Sequence, residues 1–411
     1  MAVPILRFSE FSDEWEQRSI GDVYSFKNGL NKEKEFFGRG TPILNYMDVN
    51  KNRHIFCVDI LGKVMLTQKE ISNFGIRKGD LFFTRTSETS EEIGLAGVLM
   101  EDVFGGVFSG FLLRARPKTY SIDAAFSGYR FVTSEIRKEI VRHSSITTRA
   151  LTNGALLSKV LFRMPGVKEQ KKIASLLGLL DWRIKLQRRK VELLKDMNRA
   201  LITNLFTTPA EGSAIPVLRF KCSDTQWAIK KLCDIADITK GGSLCKDDLS
   251  ECGTPCILYG ELYTTYGPVA DNVVSRTNVI GGLFLSQAND VILPSSGETA
   301  WDIATATCLI NEGVAIGGDI IVIRSSIDGR FLSYCINGVA RKYIARLAQG
   351  ASVFHIYPYL LKSVNLSVPS SEEQSAIADT LVLLNNLISL NEEMIDYLNS
   401  IKKGLMSQMF I

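Results

Sequence analysis

The polar runs Arg85-Thr86-Ser87-Glu88-Thr89 and Ser295-Ser296-Gly297-Glu298-Thr299 each follow a short apolar segment and place hydroxyls and a carboxylate within five residues. On a rigid loop such side chains hydrogen-bond phosphate oxygens or base edges, and a carboxylate accepts from cytosine N4. They equally suit a turn whose hydroxyls and acid cap nearby backbone, and both readings stand. A second pair of loops runs from Thr147 through Arg149 to Asn153-Gly154-Ala155, and from Gln349 through Ser352 to His355. Arg149, Asn153, Gln349, Ser352 and His355 carry donors and acceptors complementary to bases. Arg142, Lys159, Arg341, Lys342 and Arg346 bring charge suited to phosphates, although scattered cations also form ordinary solvated faces.

Signals for covalent chemistry are missing. No Walker-type phosphate loop and no Gly-x-Gly-x-x-Gly after a strand occur, nor an Asp/Asn-Pro-Pro-aromatic motif for extruding adenine. The three histidines, His54, His143 and His355, show no metal-ligand spacing. Of eight cysteines only Cys57 lies in the first half. Cys245, Cys252 and Cys256 lack paired C-x-x-C spacing, so free thiols of a reducing cytosol are expected, with no metal.

The elements that must position these loops occur twice. Pro4-Ile5-Leu6-Arg7-Phe8 returns as Pro216-Val217-Leu218-Arg219-Phe220, Trp15 as Trp227, Gly40-Thr41-Pro42 as Gly253-Thr254-Pro255, and Glu169-Gln170 as Glu373-Gln374. The offset between landmarks drifts from 212 to 213, 210 and 196 before returning to 204. Short buried strands are expected at 20–23, 41–44, 58–61, 79–83 and 319–323, and helices near 124–143 and 329–347. Tyr46 with Asp48, and Tyr259 with Glu261, are either cleft-lining pairs or core aromatics beside exposed acids.

Each copy ends in a heptad helix. Ile173, Leu177, Leu180, Ile184, Gln187, Val191, Leu194, Asn198, Leu201 and Leu205 alternate spacings of four and three. Ile377, Leu381, Leu384, Ile388, Asn391, Ile395, Leu398, Lys402, Leu405 and Met409 repeat the series 204 residues later. This periodicity predicts a coiled-coil seam whose polar positions fix register. From Lys168 to Arg199 ten basic residues stand against four acidic; from Glu372 to Lys403 six acidic stand against two basic. Complementary flanks favour pairing the helices with each other. A pseudo-twofold relation would make them antiparallel, a rod of roughly 57 Å against about 34–36 Å for a turn of B-DNA.

The expected fold is α+β: two β-rich domains in tandem repeat, separated by two long α-helices packed as an antiparallel coiled coil about a pseudo-twofold axis. The domains read as residues 1–165, a helix over 166–210, residues 211–368, and a helix over 369–411. Net charge is +4 and apolar content 45%, ordinary globular values. No apolar run nears the ~20 residues that span a bilayer, and a cytoplasmic location with no membrane partner is expected.

Pro165 to Ala174 with Asp181, and Pro369 to Ala378 with Asn385, both read Pro-x-x-x-Glu-Gln-x-x-Ile-Ala before a leucine-rich helix. With Tyr259-Gly260-Glu261 and Gly350-Ala351-Ser352, these residues resemble the specificity subunit of type I restriction-modification systems over essentially the whole chain. Asn385 departs from the family's usual aspartate, and Asn45-Tyr46-Met47-Asp48 is a loose form of Tyr-Gly-Glu. The resemblance implies two target-recognition domains, each reading half of a split double-stranded DNA site, in a chain that is not itself an enzyme. It implies helices that dock methyltransferase subunits, with restriction/translocase subunits joining through the complex. S-adenosylmethionine, ATP and Mg are then expected on those partners. Divergence between the landmarks adds the expectation of a non-palindromic target. The competing reading is a two-module protein–protein adaptor on a coiled-coil strut, without DNA contact.

Overall fold

The computed structural model describes residues 3–119, 121–146, 149–207, 215–220 and 226–411. Contacts divide the chain into a first unit, Met1–Gln187 with Met394–Ile411, and a second, Arg188–Glu393. In the first unit a five-stranded sheet runs in the order Tyr24–Asn28, Leu112–Pro117, Leu81–Thr84, Ala96–Leu99, His54–Ile55. In the second unit Ala236–Lys240, Ile320–Ser325, Val291–Pro294, Thr307–Leu309 and Val269–Ala270 repeat that order. Both sheets are antiparallel except at the last pair. Both central strands, Leu81–Thr84 and Val291–Pro294, are buried throughout, as continuous apolar runs require.

The turn before each central strand is also shared. Gly79 and Asn289 both take positive φ, 85° and 78°, so a residue tolerant of the left-handed region is needed. The next residue, Asp80 or Asp290, is buried and accepts two bonds from an arginine of the neighbouring strand, Arg116 (2.7 and 2.6 Å) or Arg324 (2.9 and 2.7 Å). Two expected strands are absent. Ile20–Val23 is a helical turn because Ser19 and Asp22 form a reciprocal capping box; the strand starts at Tyr24. Cys57–Asp59 is a 3₁₀ turn, its Asp59 carboxylate accepting from the Phe56 amide at 2.8 Å.

The heptad segments are the helices Val167–Leu205 and Ser371–Gln408. Of the seam residues, Ile173, Leu177, Ile184, Ile377, Leu381, Leu384 and Ile388 are buried and Leu180 is half-buried. In the first unit Asp181 pairs with Lys402, while Ile173 and Leu177 share a core with Met409 and Phe410. In the second unit Lys195 pairs with Glu392 at 2.6 Å, Asn198 donates to Asn385 at 3.1 Å, and Leu205 shares a core with Ile377 and Leu381. Rising numbers on one helix meet falling numbers on the other, so the segments are antiparallel in each unit.

Each core is completed by the end of a long helix. Phe206 stacks on Phe331 at 5.2 Å in the second unit. In the first, Phe410 meets Trp15 edge-on at 6.3 Å and Phe126 at 5.7 Å, and the buried Arg130 guanidinium lies over its ring at 5.8 Å. Phe410→Ala is expected to cost the first unit about 3–5 kcal/mol, the range for emptying a buried phenylalanine site. Urea denaturation with hydrogen exchange in residues 112–131 measures this.

Candidate nucleic-acid interface

The two sets of polar loops identified in the sequence meet in each unit. Thr86–Ser87 pairs antiparallel with Ala150–Leu151, which pairs onward with Ser145–Ile146. Ser296–Gly297 pairs antiparallel with Phe354–His355. Ser87 stands opposite Ala150, and Gly297 opposite Phe354, so the two ribbons share one register. The offset across this stretch is thus 204, not the 196 obtained by matching Gly154 to Gly350. Asn153 corresponds to Tyr357, and Arg149 to Val353.

Within the ribbons the candidate residues divide by exposure. Ser87, Ser295 and Ser296 are buried; they build the ribbon and offer almost no surface to a ligand. Ser87 Oγ accepts from the Thr89 amide at 3.2 Å, and Ser295 bonds through its main chain to Asp319 and Ile356. Arg85 and Thr86 are half-buried. Glu88, Thr89, Arg149, Asn153, Glu298, Thr299, Gln349, Ser352 and His355 are exposed. Glu88 and Arg149 lie 4.0 Å apart across the first ribbon. Thr299 is engaged with Asp302, its hydroxyl donating at 2.6 Å. Asn153 caps the helical turn Gly154–Leu157 by accepting from the Leu156 amide at 2.9 Å. Gln349 and His355 exchange main-chain bonds that close the intervening loop, with Gly350 at φ 132°. Thr147 and Thr148 lie outside the described residues.

One residue in this region escaped the sequence reading. Trp301, in the loop after the second ribbon strand, is 51% exposed, and the Arg341 guanidinium lies 4.7 Å from its ring centre. The signal available was one tryptophan where the first copy has Glu91. The Tyr46/Asp48 and Tyr259/Glu261 pairs make no open cleft wall with their acids: Asp48 accepts from the Asn45 amide and Glu261 from the Leu258 amide, at 2.8 and 2.7 Å. Among the described residues no group of three or more His, Cys, Asp or Glu could hold a metal ion.

The repeated Glu-Gln element explains how each ribbon-bearing unit is held to its helix. Glu169 receives two bonds from Arg7, both 2.8 Å, and one from Trp15 Nε1 at 3.4 Å. Glu373 receives the same set from Arg219, 2.9 and 3.0 Å, and Trp227, 3.1 Å. Gln170 donates to the Pro165 carbonyl at 2.8 Å and accepts from the Asp123 amide at 2.8 Å; Gln374 does the same with Pro369 and Asp328, at 2.9 and 3.0 Å.

A sequence profile of the family described as "Type I restriction modification DNA specificity domain" matches residues 225–400, within the second copy. The putative type I restriction enzyme MjaX specificity subunit of Methanocaldococcus jannaschii is 24% identical, covering 97% of this chain and 93% of the relative. The MjaVIII specificity subunit of the same organism is 21% identical over 84% and 80%. Over nearly its whole length the chain is thus similar to type I restriction-modification specificity subunits, and its second copy matches their DNA specificity domain. The solved type I S subunit from M. genitalium has the same fold, with a TM-score of 0.60 at 16% identity over 100% of this chain and 99% of that one. So does a chain from a structural study of complex assembly in a type I R-M system, with a TM-score of 0.56 at 16% identity over 96% and 97%. Among the described residues, no helix is long and apolar enough to cross a membrane.

The family's usual aspartate is present once. Asp181 accepts from Tyr129 Oη at 2.7 Å and pairs with the buried Lys402. Its counterpart Asn385 donates to Tyr334 Oη at 2.6 Å and accepts from Asn198. The substitution is therefore matched on the facing helix: acid with lysine in one unit, amide with amide in the other. Burial pushes the Asp181 carboxyl up, but the bonds from Lys402 and Tyr129 outweigh it and hold the pKa below the ordinary value. A depressed folded-state pKa stabilises above the unfolded value, about 3.9, and that stabilisation is lost as pH falls through the folded value. Asp181→Asn, which deprives Lys402 of its carboxylate, is expected to cost about 1–3 kcal/mol at pH 7. It should also flatten the loss of stability between about pH 5 and pH 3. Urea denaturation of both proteins across that range checks the magnitude and the sign.

Proposed function

We propose that this subunit reads a split, non-palindromic duplex target, one half with each unit's ribbon, and is itself non-catalytic. Methyltransferase subunits dock on its long helices, and restriction/translocase subunits join through that complex. S-adenosylmethionine, ATP and Mg act on those partners. The observation that carries this reading is one ribbon, in one register and one topology, presented twice with unlike exposed side chains. Glu91 and Arg149 in the first are replaced by Trp301 and Val353 in the second, beside a glutamate common to both, Glu88 and Glu298. A shared scaffold with dissimilar tips is what two different half-sites require.

Docking on the helices is supported by a second apolar stripe outside the seam. Leu179, Trp182, Leu186, Leu193 and Met197 on the first helix, and Leu383, Leu387, Leu390, Met394 and Tyr397 on the second, are all exposed. Their spacings of three, four and seven keep them on one helical face each. Exposed apolar rows of this extent mark protein contact surfaces.

Methylome sequencing of cells carrying the subunit with its methyltransferase tests both parts. The intact chain is expected to give an asymmetric two-part motif that disappears when the chain is deleted. Glu88→Ala with Arg149→Ala should alter or relax one half of the motif only, since a lost base contact costs about 1–3 kcal/mol at its own position. Leu387→Glu with Leu390→Glu should abolish modification at every site. A palindromic motif, or one indifferent to the ribbon variants, rejects the reading.

A further inference from the structure

The loop after each ribbon strand is held in the same way and ends differently. In the first unit Arg137, from the helix Ser134–His143, grips the main-chain carbonyl of Glu91 at 2.9 Å, together with those of Ile93 and Gly94. In the second unit Arg341, from the helix Arg341–Arg346, donates to the carbonyl of Trp301 at 3.1 Å and to the Thr305 hydroxyl at 3.0 Å. The loops are anchored at their base as well: Ile93 and Ile303 are both fully buried. At the position facing outward the first copy has an exposed glutamate and the second an indole.

A half-exposed tryptophan in a loop this firmly tied is unusual, because the simplest place for an indole is the core. Its stability there has a visible source in Arg341, whose guanidinium covers one side of the ring and whose donors fix the adjoining backbone. A cation above an aromatic face favours that arrangement electrostatically. The rest of the ring is left to solvent; in sequence Trp301 follows the exposed Glu298 and Thr299, and the helix that carries Arg341 also carries the exposed cations Lys342 and Arg346. A pre-oriented, flat, apolar surface loses little conformational entropy when a base packs on it. Aromatic stacking is tolerant of base identity, but insertion at a step favours steps that unstack easily.

We propose that Trp301 is a specificity-determining contact of the second half-site: its indole packs against a base at one step of the duplex, while Glu91, its counterpart, accepts a hydrogen bond from a base edge in the first half-site. The proposal rests on the DNA-reading function above. It gives the two halves different recognition chemistry, stacking in one and hydrogen bonding in the other. It also gives the second half-site a dependence on local deformability that the first lacks.

The test uses the full chain assembled with its methyltransferase subunits, and duplexes carrying the methylome-defined target with 2-aminopurine placed singly along each half. With the wild-type chain, fluorescence should change at one step of the second half-site. Trp301→Ala should abolish that change and weaken binding about ten-fold or more, in the range of a lost base–aromatic stack. Trp301→Phe should retain most of both. Neither variant should alter binding to a duplex whose second half-site is scrambled. Because Trp301 lies outside the cores, unchanged thermal unfolding of both variants is expected. Wild-type affinity in the Ala variant, or a loss of equal size on the scrambled duplex, overturns the proposal and leaves the DNA-reading function standing. A wild-type complex that does not distinguish the target from a fully scrambled duplex overturns that function, and this proposal with it.

Discussion

Glu169 and Glu373 are each almost completely removed from solvent, and a carboxylate in that position must be met by donors or it will not remain charged. In both units it is met by the same two residues, an arginine in bidentate geometry and a tryptophan indole N–H. Arg7 and Arg219 belong to the segments that open each copy, and the glutamates to the first turns of the long helices. The pair therefore ties the start of each β-rich unit to the start of its helix across about 150 to 160 residues of chain. Paired charges of this kind add little net stability over a well-packed apolar alternative, but breaking one is costly. What they confer is a fixed geometry between helix and unit, and the ribbons inherit that geometry through the five-stranded sheet.

The neighbouring glutamine extends the same constraint. Its side chain bridges the proline carbonyl before the long helix and the amide of the aspartate that caps an earlier helix, Asp123 or Asp328. The Pro-x-x-x-Glu-Gln-x-x-Ile-Ala element thus makes four contacts within two helical turns: two polar clamps from Glu and Gln, and two core residues from Ile and Ala. The charge-for-amide exchange at Asp181–Lys402 and Asn385–Asn198 shows the complementary case, in which a seam position varies because its partner varies with it.

Much of this was legible in the sequence. The 204-residue offset of two heptad series, and the recurrence of Glu-Gln before each, mark helices whose length and seam the structure reproduces. The recurrence of Arg7 and Trp15 as Arg219 and Trp227 was equally visible, but nothing local says that they meet the glutamates, because contact at that separation leaves no periodic trace. The ribbons were harder still. Strands of two residues, well separated along the chain, carry no alternation to read, so the two polar loops of each copy looked like separate candidates. Burial then separated Ser87, Ser295 and Ser296 from their exposed neighbours, a distinction that residue type alone does not make. At Ile20–Val23 the apolar residues suggested a strand, whereas the Ser19/Asp22 cap decided for a turn.

The clamp is most directly tested by a double-mutant cycle on Arg219 and Glu373, using Arg219→Met and Glu373→Gln singly and together. Urea denaturation, with hydrogen exchange of amides in 320–325 and 371–381, reports the second unit separately. Each single variant is expected to lose about 3–5 kcal/mol of local stability, and the double variant little more than either alone, because the partner left behind supplies most of the penalty. Single losses below about 0.5 kcal/mol, or losses that simply add, would mean that the buried carboxylate does not seat the helix.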